Sequence, residues 1–95
     1  MRIWNKKGFT RRIPIVWDFA LTGYLFEAYV TVSGTGTVVT IPVDVRPSTK
    51  NTDLMIDETV DTAVPVGSHT WVFAWTDPEG FRRPVFVGTF LQESL

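Results

Sequence analysis

Residues 24–45 read YLFEAYVTVSGTGTVVTIPVDV, and this stretch decides the fold class. Tyr24, Phe26, Ala28, Val30 and Val32 alternate with Leu25, Glu27, Tyr29, Thr31 and Ser33, the period of two that belongs to a strand with one buried face. The even-numbered set is expected to face the core. Ser33-Gly34-Thr35-Gly36 supplies residues that accept positive φ, and Val39, Ile41, Val43 and Val45 then alternate with Thr40, Pro42 and Asp44, so the two runs form a hairpin. Pro42 has no N–H to give to a ladder, which puts the returning strand at a sheet edge or turns its Pro to solvent.

Working outward, Arg46 to Thr52 reads as a loop and Leu54 with Ile56 as a short strand. Asp57 to Val64 has the composition of one helical turn, ended by Pro65 and Gly67. Ser68 to Thr76 is the strongest strand signal, with His69, Trp71, Phe73 and Trp75 on one face and Thr70, Val72, Ala74 and Thr76 on the other. The turn Asp77-Pro78-Glu79-Gly80 leads into a final strand from Pro84 to Leu91. Upstream, Phe9 to Trp17 reads as a first strand interrupted by Pro14. The total is six strands, or seven if Met1 to Asn5 pairs, which predicts an all-β sandwich. Its core is expected to include Tyr24, Phe26, Val30, Val39, Ile41, Trp71, Phe73 and Val87.

Ninety-five residues allow one domain. A content of 44 % hydrophobic and 14 % aromatic residues is too apolar for a disordered chain. The formal charge of -1 provides no field to draw the chain onto nucleic acid or an anionic membrane, so neither is expected as a partner. The absence of Cys excludes a disulfide framework, a thiolate metal site and a Cys nucleophile. The longest uncharged run, between Glu27 and Asp44, reads as two strands and not as a membrane span. No apolar stretch follows the basic residues near the N-terminus, so no secretory signal is expected and the protein should act where it is made.

Candidate chemistry is sparse. The sole histidine, His69, needs a nucleophile and an orienting group within reach to serve as a base, and a structural role is the expectation. The acids Asp53, Asp57, Glu58 and Asp61 lack the spacing of a calcium loop and read as a solvated face. Ser33-Gly34-Thr35-Gly36-Thr37 lacks the third glycine and the helix of a phosphate cradle, and nothing fixes Asp18 and Glu27 as a catalytic carboxylate pair. No enzyme activity, cofactor, metal or small-molecule ligand is expected.

Two features point instead to protein contact. Residues 1–12 hold Arg2, Lys6, Lys7, Arg11 and Arg12 with no acid, whereas residues 51–61 hold four acids and no base. Either these are two solvated surfaces, or residues 1–9 are an arm that docks on a neighbouring protein. In the second case Ile3 and Trp4 anchor in an apolar groove, Arg2, Lys6 and Lys7 meet carboxylates at its rim, and Asp57, Glu58 and Asp61 are the matching acidic surface. The other feature is the strand bearing Trp71 and Trp75. A two-sheet domain buries one face of such a strand, and the other needs a cover, either loops together with the N-terminal segment or a partner chain. A carbohydrate-binding module, with these tryptophans stacking on sugar rings, is the alternative from another class.

Leu21-Thr22-Gly23 before a strand, Val64-Pro65-Val66-Gly67 before the strand from Ser68, the Thr76-Asp77-Pro78-Glu79-Gly80 turn and Val87-Gly88-Thr89-Phe90 near the end occur in a telling order. Over residues 10 to 92 the chain resembles the short immunoglobulin-like β-sandwich domains of tailed-bacteriophage virion proteins, such as the N-terminal domain of baseplate upper proteins. That resemblance implies an immunoglobulin-like domain over residues 10–95. It also implies a non-enzymatic structural component of a virion assembled in the host bacterial cytoplasm, bridging larger tail or baseplate components in a symmetric or homo-oligomeric assembly. A capsid decoration protein is the variant within the same class. Family members often continue into a receptor-binding or fibre region whereas this chain stops at Leu95, which implies an adaptor, plug or decoration subunit.

Overall fold

The computed structural model describes residues 2–94. Met1 and Leu95, the ends of the expected arm and of the expected domain, lie outside the described residues. Eight strands form in chain order: β1 (Arg2–Lys6), β2 (Arg11–Val16), β3 (Leu25–Thr31), β4 (Val38–Ile41), β5 (Val43–Arg46), β6 (Asn51–Ile56), β7 (Gly67–Thr76) and β8 (Arg82–Glu93), with one short helix, α1 (Glu58–Ala63). One sheet has the order β1-β8-β7-β3-β4 and the other β2-β6-β5. The protein is an all-β sandwich. The three-stranded layer β2-β6-β5 packs against the larger sheet.

Pro42 explains the extra strand. The run expected as one returning strand is divided there. Val38–Ile41 pairs with β3 in the larger sheet, and Val43–Arg46 pairs with β6 in the smaller one. A residue without an N–H is tolerated at this corner, where its carbonyl accepts from the Met55 N–H at 2.9 Å. Asp57 caps α1 by accepting the Val60 N–H at 2.9 Å, which starts a helix of six residues whose Val60 is fully buried.

Between the layers lie Val30, Ile41, Leu54, Ile56, Val60, Trp71, Phe73 and Phe90, all essentially without exposure. The parity of β3 and β7 is the expected one: Val30, Trp71 and Phe73 point inward, and Leu25 is 70 % exposed. Tyr24 and Phe26 are half-buried among the rings of Trp17, Phe19 and Trp75. Val87, expected in the core, is instead 59 % exposed. The ladder pairs Phe73 with Phe86 but Ala74 with Pro84, so Val85 is a bulge that shifts the alternation, and Val87 lies beside Val72 on the outer face while Phe90 turns inward.

The expected N-terminal arm is a strand of the sandwich. β1 runs parallel to β8 with Ile3 opposite Phe90 and Asn5 opposite Gln92, and Ile3 is only 2 % exposed. An isolated basic heptapeptide has no partner, but here alternation puts Ile3 and Asn5 into the core and leaves Arg2, Trp4 and Lys6 outside. Residues 2–94 therefore share one core.

Candidate docking surfaces

Of the polarised charges, Arg12 and Asp53 pair within the chain, and Asp61 is held by neutral donors. Asp61 lies on α1, beneath β1, and its carboxylate accepts from Asn5 Nδ2 (3.3 Å), Gln92 Nε2 (3.2 Å) and the Gly8 N–H (2.9 Å). Gln92 Oε1 in turn accepts from Asn5 Nδ2 at 2.8 Å. Lys7 Nζ donates to the carbonyls of Asp61 (3.0 Å) and Val64 (3.2 Å), and Gln92 Nε2 reaches the same two at 3.1 and 3.2 Å. The last carbonyls of a helix have no partner within it, so a cation and an amide at its C-terminal turn satisfy groups that burial would otherwise strand. Ile3, Lys7 and Asp61, expected at an interface, thus form a latch inside the domain. Asp57 is the helix cap, and Glu58 is exposed on the first turn.

A second ionic cluster ties β2 to the smaller sheet's far edge. Arg12 Nη1 bonds Asp53 at 2.9 Å and Asp44 at 3.0 Å, and Arg46 Nε lies 3.2 Å from Asp44. The Arg12 hydrogen bond, helped by Asn51, holds the nearly buried Asp53 carboxyl below its ordinary range against the opposing effect of desolvation. Sequence reading placed Asp53 on a solvated face because its register against β2 and β5 was not visible.

His69 is structural in geometry. Its Nδ1 accepts the Ser33 N–H at 3.0 Å, so Nε2 carries the proton and donates to the Pro65 carbonyl at 2.8 Å. It sits two residues before the buried Trp71 and bonds four residues upstream, the connection a tyrosine makes in immunoglobulin domains. Beside it, a shallow groove of about 470 Å³ runs between the Ser33–Thr37 turn and the end of α1, and Lys7 on its wall is already committed to carbonyls. Among the described residues no three His, Asp or Glu side chains are grouped as a cation would require, and no helix is long and apolar enough to cross a membrane.

Trp71 has no exposure, so it cannot touch a partner. Trp75 is half-buried in an aromatic cluster that sequence reading did not assemble. Trp17 is its hub, with ring centroids 5.5 Å from Trp75, 5.6 Å from Phe19, 5.8 Å from Phe26 and 6.0 Å from Phe73, and its indole N–H donates to Thr52 Oγ1 at 3.0 Å. Three connections gather at this end. The Trp17 N–H bonds the Lys50 carbonyl at 2.8 Å after the 3₁₀ turn Pro47–Thr49, and Gly23, at φ +82°, packs against Pro78 so closely that a Cβ would lie 3.1 Å from the proline ring. Phe81, 68 % exposed, projects from the β7–β8 turn beside them. The result is a tip with exposed and half-exposed aromatic surface.

The second surface is the outer face of the five-stranded sheet. Ladder partners form one row, Val87, Val72, Tyr29 and Thr40, and a second row, Thr89, Thr70, Thr31 and Val38, with Arg2 at its margin. Val38, Val87 and, on the neighbouring row, Trp4 are each more than half exposed. Charged side chains flank both rows, and the Arg82 guanidinium reaches the Tyr29 hydroxyl within the first. Arg82 is paired with Glu27, and that carboxylate, followed by the Tyr29 hydroxyl, raises the guanidinium's pKa above its ordinary value. At the other end Trp4 Nε1 donates to Glu93 between Arg2 and Lys6. Sequence reading puts Val72 on a face that needs cover and Leu25 among the outward odd-numbered residues, as found, but misses Val87.

No known family model matches this chain, and no curated protein is significantly similar to it.

Proposed function

We propose that this protein is a non-catalytic structural module that bridges larger components of a tailed-bacteriophage particle. The observation that carries this reading is the presence, on one small sandwich, of two separate surfaces with exposed apolar side chains: Val38, Val87 and Trp4 on the outer face of the five-stranded sheet, and Phe81 at the aromatic tip. Bridging needs two such surfaces, and monomeric proteins seldom leave them uncovered. The polar groups that could do chemistry, His69, Asp53 and Asp61, are engaged in holding loops and strands together. The resemblance to virion domains supplies the particle context.

The test is composition. Particles purified from a host lysate in which this gene is expressed should contain the chain at a fixed copy number, small for a tail or baseplate component and capsid-scale for a decoration protein. Phe81→Ser should fold normally and be lost from those particles. A chain absent from purified particles, or a folded protein that binds glycans through Trp75, refutes the proposal and favours a carbohydrate-binding module.

A further inference from the structure

Resting on that reading, we infer that the aromatic tip receives a proline-rich segment of the component it joins, bound as a polyproline II helix. Phe19, Tyr24 and Trp75 are half-buried and in mutual contact, with ring centroids 5.1 Å (Phe19 to Tyr24), 5.4 Å (Phe19 to Trp75) and 5.4 Å (Tyr24 to Trp75) apart. The Trp75 ring stands at 85° to Phe19 and at 71° to Tyr24, so the three rings make a faceted surface and not a flat stack. Facets of this kind take compact apolar rings, and one polyproline II turn, three residues in about 9 Å, is about as long as the patch.

Hydrogen bonding narrows the choice of occupant. The indole N–H groups of Trp17 and Trp4 donate to Thr52 and Glu93, but the Trp75 indole N–H and the Tyr24 hydroxyl have no acceptor among the described residues, and neither is sealed from solvent. An occupant must therefore bring apolar bulk together with carbonyls that are not already bonded. An α-helix engages its backbone carbonyls internally. A β-strand needs an open edge, and Trp75 lies on β7, which has a neighbour on each side. A polyproline II segment has no internal hydrogen bonds, its carbonyls face outward, and its prolines present apolar rings with no N–H to desolvate. Aromatic surfaces with donors set among the rings recognise such segments.

Charge does not select the partner. Asp18 and Glu79, exposed on the loops of the tip, are matched by exposed Lys50 after the 3₁₀ turn and by Arg83, the ladder partner of Trp75. Recognition thus falls to the rings and the two donors. Nor is the occupant a second copy of this chain. Its prolines stand singly, and the nearest two, Pro42 and Pro47, are separated by the strand β5 within the folded sandwich, so the chain has no proline-rich segment to give.

The probe is a capped decaproline peptide titrated into the nitrogen-15-labelled whole chain and followed by nuclear magnetic resonance. Of the four tryptophan indole N–H signals, that of Trp75 should shift and the others should stay in place. Saturation should give a Kd on the order of 100 μM, since so small a patch engages few atoms. Trp75→Phe keeps a ring and deletes the indole donor, and Tyr24→Phe deletes only the hydroxyl; each should fold and weaken binding about fivefold. An amphipathic helical peptide should leave the Trp75 signal unmoved. The inference is overturned by a Trp75 signal that does not shift up to about 5 mM decaproline, by variants that both bind as the wild type does, or by a helical peptide that binds as tightly. If decaproline fails while Phe81→Ser is still lost from particles, the bridging role stands with a partner of other chemistry. A shift with maltohexaose and none with decaproline overturns both, whereas decaproline binding by a chain absent from particles upholds the tip's chemistry and removes the particle.

Discussion

Replacing Ile3 by Ala separates an integral strand from a free arm. Ile3 is 2 % exposed, packs with Phe90 and the rest of the core, and is held there by the parallel pairing of β1 with β8. Removing a buried branched side chain costs its transfer free energy and leaves a cavity, together about 3 kcal/mol. For a domain of this size that lowers Tm by roughly 12–24 °C. Trp4, the next residue, is 56 % exposed, and Trp4→Ala removes one solvent-facing bond to Glu93, so its cost should stay within about 1 kcal/mol. Urea titration followed by far-ultraviolet circular dichroism measures both without relying on tryptophan fluorescence. Deleting residues 1–7 should unfold the domain outright, since it removes Ile3, the Asn5 amide and the Lys7 ammonium together. If Ile3→Ala and Trp4→Ala are equally harmless, β1 contributes nothing to the fold and the account of the latch fails.

Asp61→Ala should cost about 1–3 kcal/mol in chemical denaturation, because the Gly8 N–H and the two amides aimed at the carboxylate lose their acceptor while staying buried or partly so; an unchanged midpoint would mean that water replaces it freely. His69→Phe keeps a ring in place but leaves the Ser33 N–H and the Pro65 carbonyl without partners, with a cost of about 2 kcal/mol and faster amide exchange at Ser33 as the specific readout. Asp53 has its folded-state pKa lowered, mainly by Arg12, so the stability it contributes is present above its ordinary value of 3.8 and is lost as pH falls through the lowered folded value. The stability gap between wild type and Asp53→Asn should accordingly be constant near about pH 6 and close in strong acid; a gap that persists there would place the effect in packing.

Local alternation made β3 and β7 legible, because a strand with one buried face writes its period of two directly into the chain, and the inward Val30, Trp71 and Phe73 followed from it. The failures share a cause. Val87 was misplaced by a single bulged residue, which no periodicity announces. β1 reads as an arm, or at most as a seventh strand without a partner, because its partner lies at the opposite end of the sequence, and a parallel pairing over that distance leaves no turn signal. The latch around Asp61 depends on that same pairing: Asn5, Asp61 and Gln92 are unremarkable polar residues until the sheet register puts them side by side. Of the charges polarised between residues 1–12 and 51–61, Arg12 and Asp53 form an ion pair, whereas the Asp61 carboxylate is held by neutral donors, a pairing that only the sheet register reveals.

The pairing of first strand with last also has a kinetic consequence. On the ribosome Ile3 and Asn5 emerge before the other elements of the domain, but the strand that receives them, residues 89–93, is translated after all of those elements. Until then the neighbouring core positions and the C-terminal turn of α1 lack their cover. Native contacts this distant in sequence close late and slowly, so the nascent chain should gain its protease resistance in one step after synthesis of β8 and not by stages. Moving β1 to follow β8, through a linker long enough to reverse direction and restore the parallel register, would let completion of the sheet follow the order of translation.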